Sequence, residues 1–457
     1  MDARDVWDAL EATGVAVRAA GDGDEVAGVR PRRVALPESA EEIAAVMRVC
    51  AAHDLAVVVT GGGTKLHWGA PPARCDVLVD LCRMNRVLEH AAGDLVVRAQ
   101  AGVTLEALAG ALAGENQELA LDVPVPGTTV GGLLATGIAG PRRFRYGTAR
   151  DLLIGVTVVL ADGTIAKSGG KVVKNVAGYD LGKLFTGSYG TLGIIADATF
   201  RLHPLPAARA WVTATVERPV TKTNGTWTTE DGLTFETLTT DLAGSLAAAV
   251  PAVTESQLEP SAVEIDWPDV DGPCTLAVLL EGAAAGERAK TLCELLGELV
   301  GETAEVTEEP PPWWGGLPEP PEGAAGPPGA RSEVQDGGEI LLEVRNAPTL
   351  LAETLLAFSS AARVTGSRAA LRGSLAAQVL HVALPPDTEP AMVAGFTSQL
   401  RADLGEQAGV VVLAAPPEAG RRLDRWGRVG ALPLMRRIKE RFDPDRRLSP
   451  GRFVGGI

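Results

Sequence analysis

Histidine and cysteine are scarce in this chain, with five of each among 457 residues. The histidines are His53, His67, His90, His203 and His381, and only His381 lies beyond residue 203. One histidine cannot assemble a multi-ligand divalent site there, so no metal is expected. Cys50, Cys75, Cys82, Cys274 and Cys293 are odd in number and include no Cys-x-x-Cys pair. That argues against an iron–sulfur cluster carried by this chain and against a disulfide framework. No apolar run approaches the roughly 20 residues of a membrane-spanning helix. The charged start Met1-Asp2-Ala3-Arg4-Asp5 is not a secretion signal. A cytoplasmic location is expected, with any membrane association supplied by partners. Positive charge is in deficit, 42 Lys and Arg against 58 Asp and Glu, for a net charge of −16. Phosphate backbones are held by excess Lys and Arg, so nucleic acid is not an expected partner. Gly-x-Gly-x-x-Gly and the Walker spacing are both missing, which removes the two commonest nucleotide signatures.

Hydrophobic residues make up 46% and charged residues 22%, the balance of a globular chain. The length predicts two domains. Residues 1–29 read as an N-terminal segment and 30–206 as a domain of alternating helices and strands. Residues 207–432 read as a second α+β domain with a Pro/Gly-rich loop at 310–330, and 433–457 as a helix and tail returning to the first. Ser39-Ala40-Glu41-Glu42 has capping-box spacing ahead of the helical stripe Ile43, Val46, Met47, Cys50. Strands are predicted at Ala56-Val57-Val58-Val59, Val77-Leu78-Val79 and Leu95-Val96-Val97, and a helix through Leu105, Leu108 and Leu112. Val156 to Leu160, Asp162-Gly163 and Thr164 to Ala166 read as a hairpin. The polar stretch 216–240 has little periodicity and reads as an insertion.

Three glycine clusters punctuate the first domain. Thr60-Gly61-Gly62-Gly63-Thr64-Lys65 follows a strand. Glycines there would let backbone N–H groups converge on an anion, with the Thr hydroxyls and the Lys65 ammonium as further donors. Taken alone, a triple glycine is more often a plain flexible turn than a phosphate site. Pro124-Val125-Pro126-Gly127-Thr128-Thr129-Val130-Gly131-Gly132 runs on through Ala135, Thr136 and Gly137 to Gly140, long and free of charge. Gly187-Ser188-Tyr189-Gly190-Thr191-Leu192-Gly193-Ile194-Ile195 leads into a strand.

In this order, with Tyr146-Gly147, Arg150-Asp151 and Asp162-Gly163 between them, the clusters resemble the PCMH-type flavin domain of the vanillyl-alcohol-oxidase superfamily over about residues 30–205. The resemblance implies an α+β fold: a two-subdomain FAD-binding domain followed by a smaller α+β cap. It also implies FAD held by Thr60, Gly61, Gly62, Gly63, Thr64, Lys65, Pro126, Gly127, Thr128, Thr129, Gly131 and Gly132. Ala135, Thr136, Gly140, Tyr146, Gly190, Gly193 and Ile195 complete the implied set. Lys171-Val172-Val173-Lys174-Asn175-Val176-Ala177-Gly178-Tyr179-Asp180-Leu181 resembles the glycolate oxidase and D-lactate dehydrogenase branch. So do Phe442-Asp443-Pro444-Asp445 and Leu448-Ser449-Pro450-Gly451-Arg452. Pro260-Ser261-Ala262-Val263-Glu264 and Leu280-Glu281-Gly282 look most like the FAD-binding E subunit of bacterial glycolate oxidase.

Covalent relatives often carry a histidine at the end of the first glycine loop. Thr64 stands there and His67 is offset, so non-covalent FAD is expected. Oxidation of a small 2-hydroxy acid needs a base, a cation and the flavin. Lys171, Lys174, Arg143 or Arg145 could be the cation, and Lys174 and Tyr179 are the candidate catalytic residues. No base is evident. The function expected is a FAD-dependent oxidoreductase subunit of a glycolate oxidase-like complex, with a larger FAD-binding catalytic subunit and an iron–sulfur subunit as companions. A mainly structural flavin subunit and a self-sufficient oxidase of another substrate stay open. Leu434, Ile438 and Phe442 recur at helical spacing, and Arg436, Arg437, Lys439 and Arg441 would then face a partner or pair with local carboxylates.

Overall fold

The computed structural model describes residues 3–170, 180–216, 224–228, 234–238, 242–300, 304–321, 338–420 and 423–457. The chain forms two compact units, Met1–Leu205 with Arg428–Ile457, and Pro206–Gly427.

The first unit opens with helix α1 (Ala3–Glu11) and strands β1 (Ala16–Ala19) and β2 (Arg33–Leu36). Ser39 accepts a hydrogen bond from the Glu42 backbone N–H at 3.2 Å and so starts helix α2 (Ala40–Ala52). The Glu42 carboxylate reaches past Ser39 to the Glu38 N–H at 2.8 Å, so the expected capping box closes one residue early. Ile43, Val46, Met47 and Cys50 are buried along one side of α2, the stripe that the periodicity predicts. Strands β3 (Val57–Thr60) and β4 (Val77–Asp80) follow. The sheet order is β1-β2-β4-β3, with β2 and β3 both parallel to β4. Late residues complete its edge. The Val57 N–H donates to the Arg447 carbonyl at 2.9 Å, and the Ser449 N–H donates to the Val57 carbonyl at 2.8 Å.

A second sheet is antiparallel. Its strands β5 (Val87–Ala91) and β6 (Val96–Gln100) precede helix α3 (Leu105–Ala113), which buries Leu108 and Leu112. Next come β7 (Gln117–Glu118) and the short helices α4 (Val130–Thr136), α5 (Arg143–Tyr146) and α6 (Ala149–Leu152). Strands β8 (Leu153–Val159) and β9 (Ile165–Gly169) form the predicted hairpin. Asp162 accepts from the Thr164 N–H at 2.8 Å in its turn. Strand β10 (Ile194–Arg201) completes the order β5-β6-β10-β8-β9, and β11 (His203–Pro204) pairs with β7.

The second unit is built on an eight-stranded antiparallel sheet. Four of its adjacent strands are Ala262–Trp267, Ala370–Ser374, Val379–Leu384 and Ile340–Arg345. Side chains alternate across them. Trp267 packs on Phe358, and Phe358 on Phe396 from the next helix, at 5.2 and 6.4 Å between ring centroids. On the opposite face Asp266, Arg372, His381 and Glu343 share one register row. The stretch 216–240, read from sequence as an insertion without periodicity, contains a hairpin of Asn224–Thr228 with Thr234–Leu238. Alternating threonine and apolar residues pair there without the strong polarity contrast that periodicity needs.

Candidate cofactor site

Strand β3 delivers the chain to Thr60, and the loop that follows turns back on itself at Gly63, whose φ is +71°. Among the described residues, none of the five consecutive backbone N–H groups of Gly61 to Lys65 has a hydrogen-bond acceptor within the protein. Unpaired N–H groups are costly unless solvent or a ligand takes them, and a run of them on one loop is a receptor for an anion.

The loop borders an open cleft. Thr60, Gly61, Gly62, Gly63, Thr64 and Lys65 line it from one side, and Thr129, Gly132, Ala135 and Thr136 from the other. The two glycine clusters touch directly. A Cβ on Gly61 would overlap the Thr129 hydroxyl, and one on Gly62 would overlap the Gly127 carbonyl oxygen. Thr129 caps α4 by accepting from the Gly132 N–H at 3.2 Å. Lys65 is buried, and its Nζ donates to the hydroxyls of Thr128 at 2.6 Å and Thr64 at 3.1 Å. No carboxylate lies within ion-pair distance of it among the described residues. Burial pushes the Lys65 ammonium down to about 8, opposed by the charge of Glu106. A buried cation with only hydroxyls for partners beside five open N–H groups fits a bound phosphate or diphosphate.

Several residues expected at the cofactor do not line this cleft. Gly131 packs against Ala101, with its N–H on the Ala101 carbonyl at 2.8 Å. Gly140 is held by the Asp122 carbonyl at 2.8 Å, and Gly193 fits against the Phe185 ring. Gly190 needs its positive φ of +70° to turn the chain, and Ile195 is buried in β10. Tyr146 packs edge-on to His203 at 4.9 Å, with the guanidinium of Arg142 5.9 Å from its ring centroid. Pro126 lies outside the cleft lining too, while Gly127 and Thr128 touch the loop from behind. A Cβ on Gly62 would meet the Gly127 carbonyl, and one on Gly131 would meet Ala101. Both glycines admit neighbouring protein, and the cleft is shaped by that packing.

The C-terminal segment supplies what sequence reasoning did not assign to the site. Ser449 and Arg452 line the cleft. The Arg452 guanidinium is buried and donates to the carbonyls of Leu66 and Trp68 at 2.7 and 2.6 Å, which holds the far end of the loop. Tyr189 lines the cleft and stacks on Phe453 at 5.3 Å. Lys439 is not presented outward as its helical spacing suggests. It is buried, and its Nζ donates to Asp443 at 2.7 Å, the Thr191 carbonyl at 2.8 Å and the Leu448 carbonyl at 2.9 Å. Lys171, Lys174, Asn175 and Tyr179 lie outside the described residues. Arg143 and Arg145 sit on α5.

Residues 31–169 match the FAD binding domain family. A segment of 182 residues, 39% of this chain, is 38% identical to the mitochondrial D-lactate dehydrogenase [cytochrome] 1 of Saccharomyces cerevisiae and covers 31% of that protein. Another of 192 residues, 41% of this chain, is 37% identical to the glycolate oxidase subunit GlcD of Bacillus subtilis and covers 40% of it. The matches thus span less than half the length of either relative. Among solved structures, p-cresol methylhydroxylase superimposes with a TM-score of 0.71 at 16% identity, covering 98% of this chain and 96% of the other. The 4-ethylphenol oxidase of Gulosibacter chungangensis gives 0.69 at 17% identity over 99% and 97%. The fold is therefore the PCMH-type FAD-binding fold, mixed α+β, as the sequence resemblance implies.

Proposed function

We propose that this chain is a FAD-dependent oxidoreductase subunit acting on a small 2-hydroxy acid within a glycolate oxidase-like complex, and that its FAD is bound without a covalent link. The observation that carries this reading is the row of open N–H groups beside the buried Lys65 ammonium, within a segment that matches the FAD binding domain family. The loop N–H groups and Lys65 would hold the pyrophosphate, while Thr129 and α4 set the wall opposite. FAD held by these residues would supply hydride-accepting chemistry for oxidation of a 2-hydroxy acid to its 2-oxo acid, with the hydroxyl proton passing to a base and the electrons onward to an iron–sulfur companion. Thr64 at the end of the loop offers a hydroxyl in place of the histidine nitrogen that often carries the covalent link. Lys174 and Tyr179 are proposed to line the approach to the flavin, so Tyr179→Phe and Lys174→Ala should slow flavin reduction by substrate with FAD content unchanged.

The purified chain should show flavin absorbance, or take it up from added FAD, and release it all on acid precipitation. A colourless protein that takes up no FAD would overturn the reading. Colour that stays with the precipitated chain would overturn only the non-covalent part.

A further inference from the structure

Lys65 is a buried lysine with no carboxylate at ion-pair distance among the described residues. Its hydrogen-bond partners, Thr128 and Thr64, are hydroxyls, and Thr128 Oγ1 already donates to the Val125 carbonyl at 2.6 Å. The segments 124–136 and 187–193 that border the cleft contain no Asp, Glu, Lys, Arg or His, only the Tyr189 phenol. Glu106, at the start of α3, is the acid whose charge reaches Lys65, and its carboxylate is engaged by the Gly127 N–H at 2.9 Å. Arg452 enters from the C-terminal segment with its guanidinium on the Leu66 and Trp68 carbonyls, and His67 follows two residues on. The protein alone therefore leaves the charged form of this amine poorly stabilised.

We propose that Lys65 is the proton-accepting anchor of the site, so that binding the diphosphate of a dinucleotide draws one proton from solution onto its amine. This deepens the FAD reading and rests on it. In the free protein burial holds the Lys65 ammonium down to about 8. A diphosphate placed against it favours the charged form and raises that value. Below pH 8 the lysine is charged in both states and affinity is flat. Above pH 8 the free protein must first take up a proton, so affinity falls, approaching tenfold per pH unit. The cofactor would then be held most loosely in alkali, with Lys65 alone setting the slope.

Wild-type protein stripped of flavin is titrated with FAD at pH 7 to 9, following flavin fluorescence. Calorimetry at pH 8.5 in two buffers of different protonation enthalpy counts the protons. The expected result is a dissociation constant about tenfold weaker at pH 9 than at pH 7, with more than half a proton taken up per FAD at pH 8.5. ADP, which carries the diphosphate without the flavin, should show the same slope. Lys65→Met should bind more weakly at pH 7 and lose the slope, and Lys65→Arg, charged at every pH tested, should lose the slope whatever its affinity at pH 7. FAD binding that is flat with pH and insensitive to buffer in the wild type would overturn the proposal while sparing the FAD reading. A slope that persists in K65M would assign the proton elsewhere and overturn it equally. A chain that takes up FAD at no pH would remove the FAD reading itself, and this proposal with it.

Discussion

Gly62 and Gly63 stand side by side in the cofactor loop and lack a side chain for different reasons. A Cβ on Gly62 would run into the Gly127 carbonyl, which is backbone and cannot swing aside. Gly63 has open space, its nearest neighbour being the Thr60 hydroxyl at 4.0 Å, but its φ is +71°. Gly62→Ala should separate the two glycine clusters, abolishing flavin content and lowering the melting temperature. Gly63→Ala should cost about 1–2 kcal/mol, the penalty of a left-handed residue, with flavin retained. The ratio of flavin to protein absorbance and a thermal melt distinguish the two. The glycine clusters were legible in the sequence because the need to lack a Cβ is written in local composition. The partners that impose it, Gly127 for Gly62 and Ala101 for Gly131, were not. Ser449 and Arg452 were visible as a motif but could not be placed at the cleft. Their contacts lie nearly 400 residues earlier, and no local pattern reports them.

Helix Leu432–Phe442 divides its charges between two tasks. Lys439 points inward and forms a buried pair with Asp443, whose other oxygen takes the Arg447 N–H at 2.9 Å. Removing one member of such a pair strands the other, so Asp443→Ala should cost about 3–5 kcal/mol and loosen the strand edge beside β3. Chemical denaturation with flavin release followed in parallel would show both losses together. Arg436, Arg437 and Arg441 stay exposed around Leu434, itself 51% exposed. On the proposed subunit reading, that face is the one we expect a companion to contact. Reversing charge at Arg436 and Arg437 should weaken assembly in a salt-sensitive way and leave flavin content unchanged. Assembly that is unaltered at low salt would remove this face from the interface. Helical spacing correctly predicted a helix here, but it could not assign Lys439 to the inner side. A buried lysine requires three oxygens from distant backbone and side chains, and spacing carries no information about those.

For the whole molecule the question is whether one chain suffices for chemistry. One face of the second unit's sheet carries the row Asp266, Arg372, His381 and Glu343 as two pairs. Arg372 is held by Asp266 at 2.6 Å, and His381 Nε2 lies 3.6 Å from Glu343. Burial pushes Glu343 up, but the nearby His381 imidazole and Arg345 guanidinium outweigh it and hold that carboxyl at about 2. With these groups paired, the isolated chain should oxidise glycolate or D-lactate poorly with an artificial electron acceptor, and co-expression with its companions should restore turnover. Rapid turnover by the purified chain alone would contradict the subunit reading. The return of residues 447–452 to the edge of β3 also bears on how the protein is made. During synthesis the glycine loop leaves the ribosome almost four hundred residues before the arginine that braces it. Until then the nascent chain has only part of a cofactor cleft. Flavin loading should therefore wait until residues 447–452 have emerged, and products cut short before Arg452 should be colourless and recognisable to proteases as unfinished.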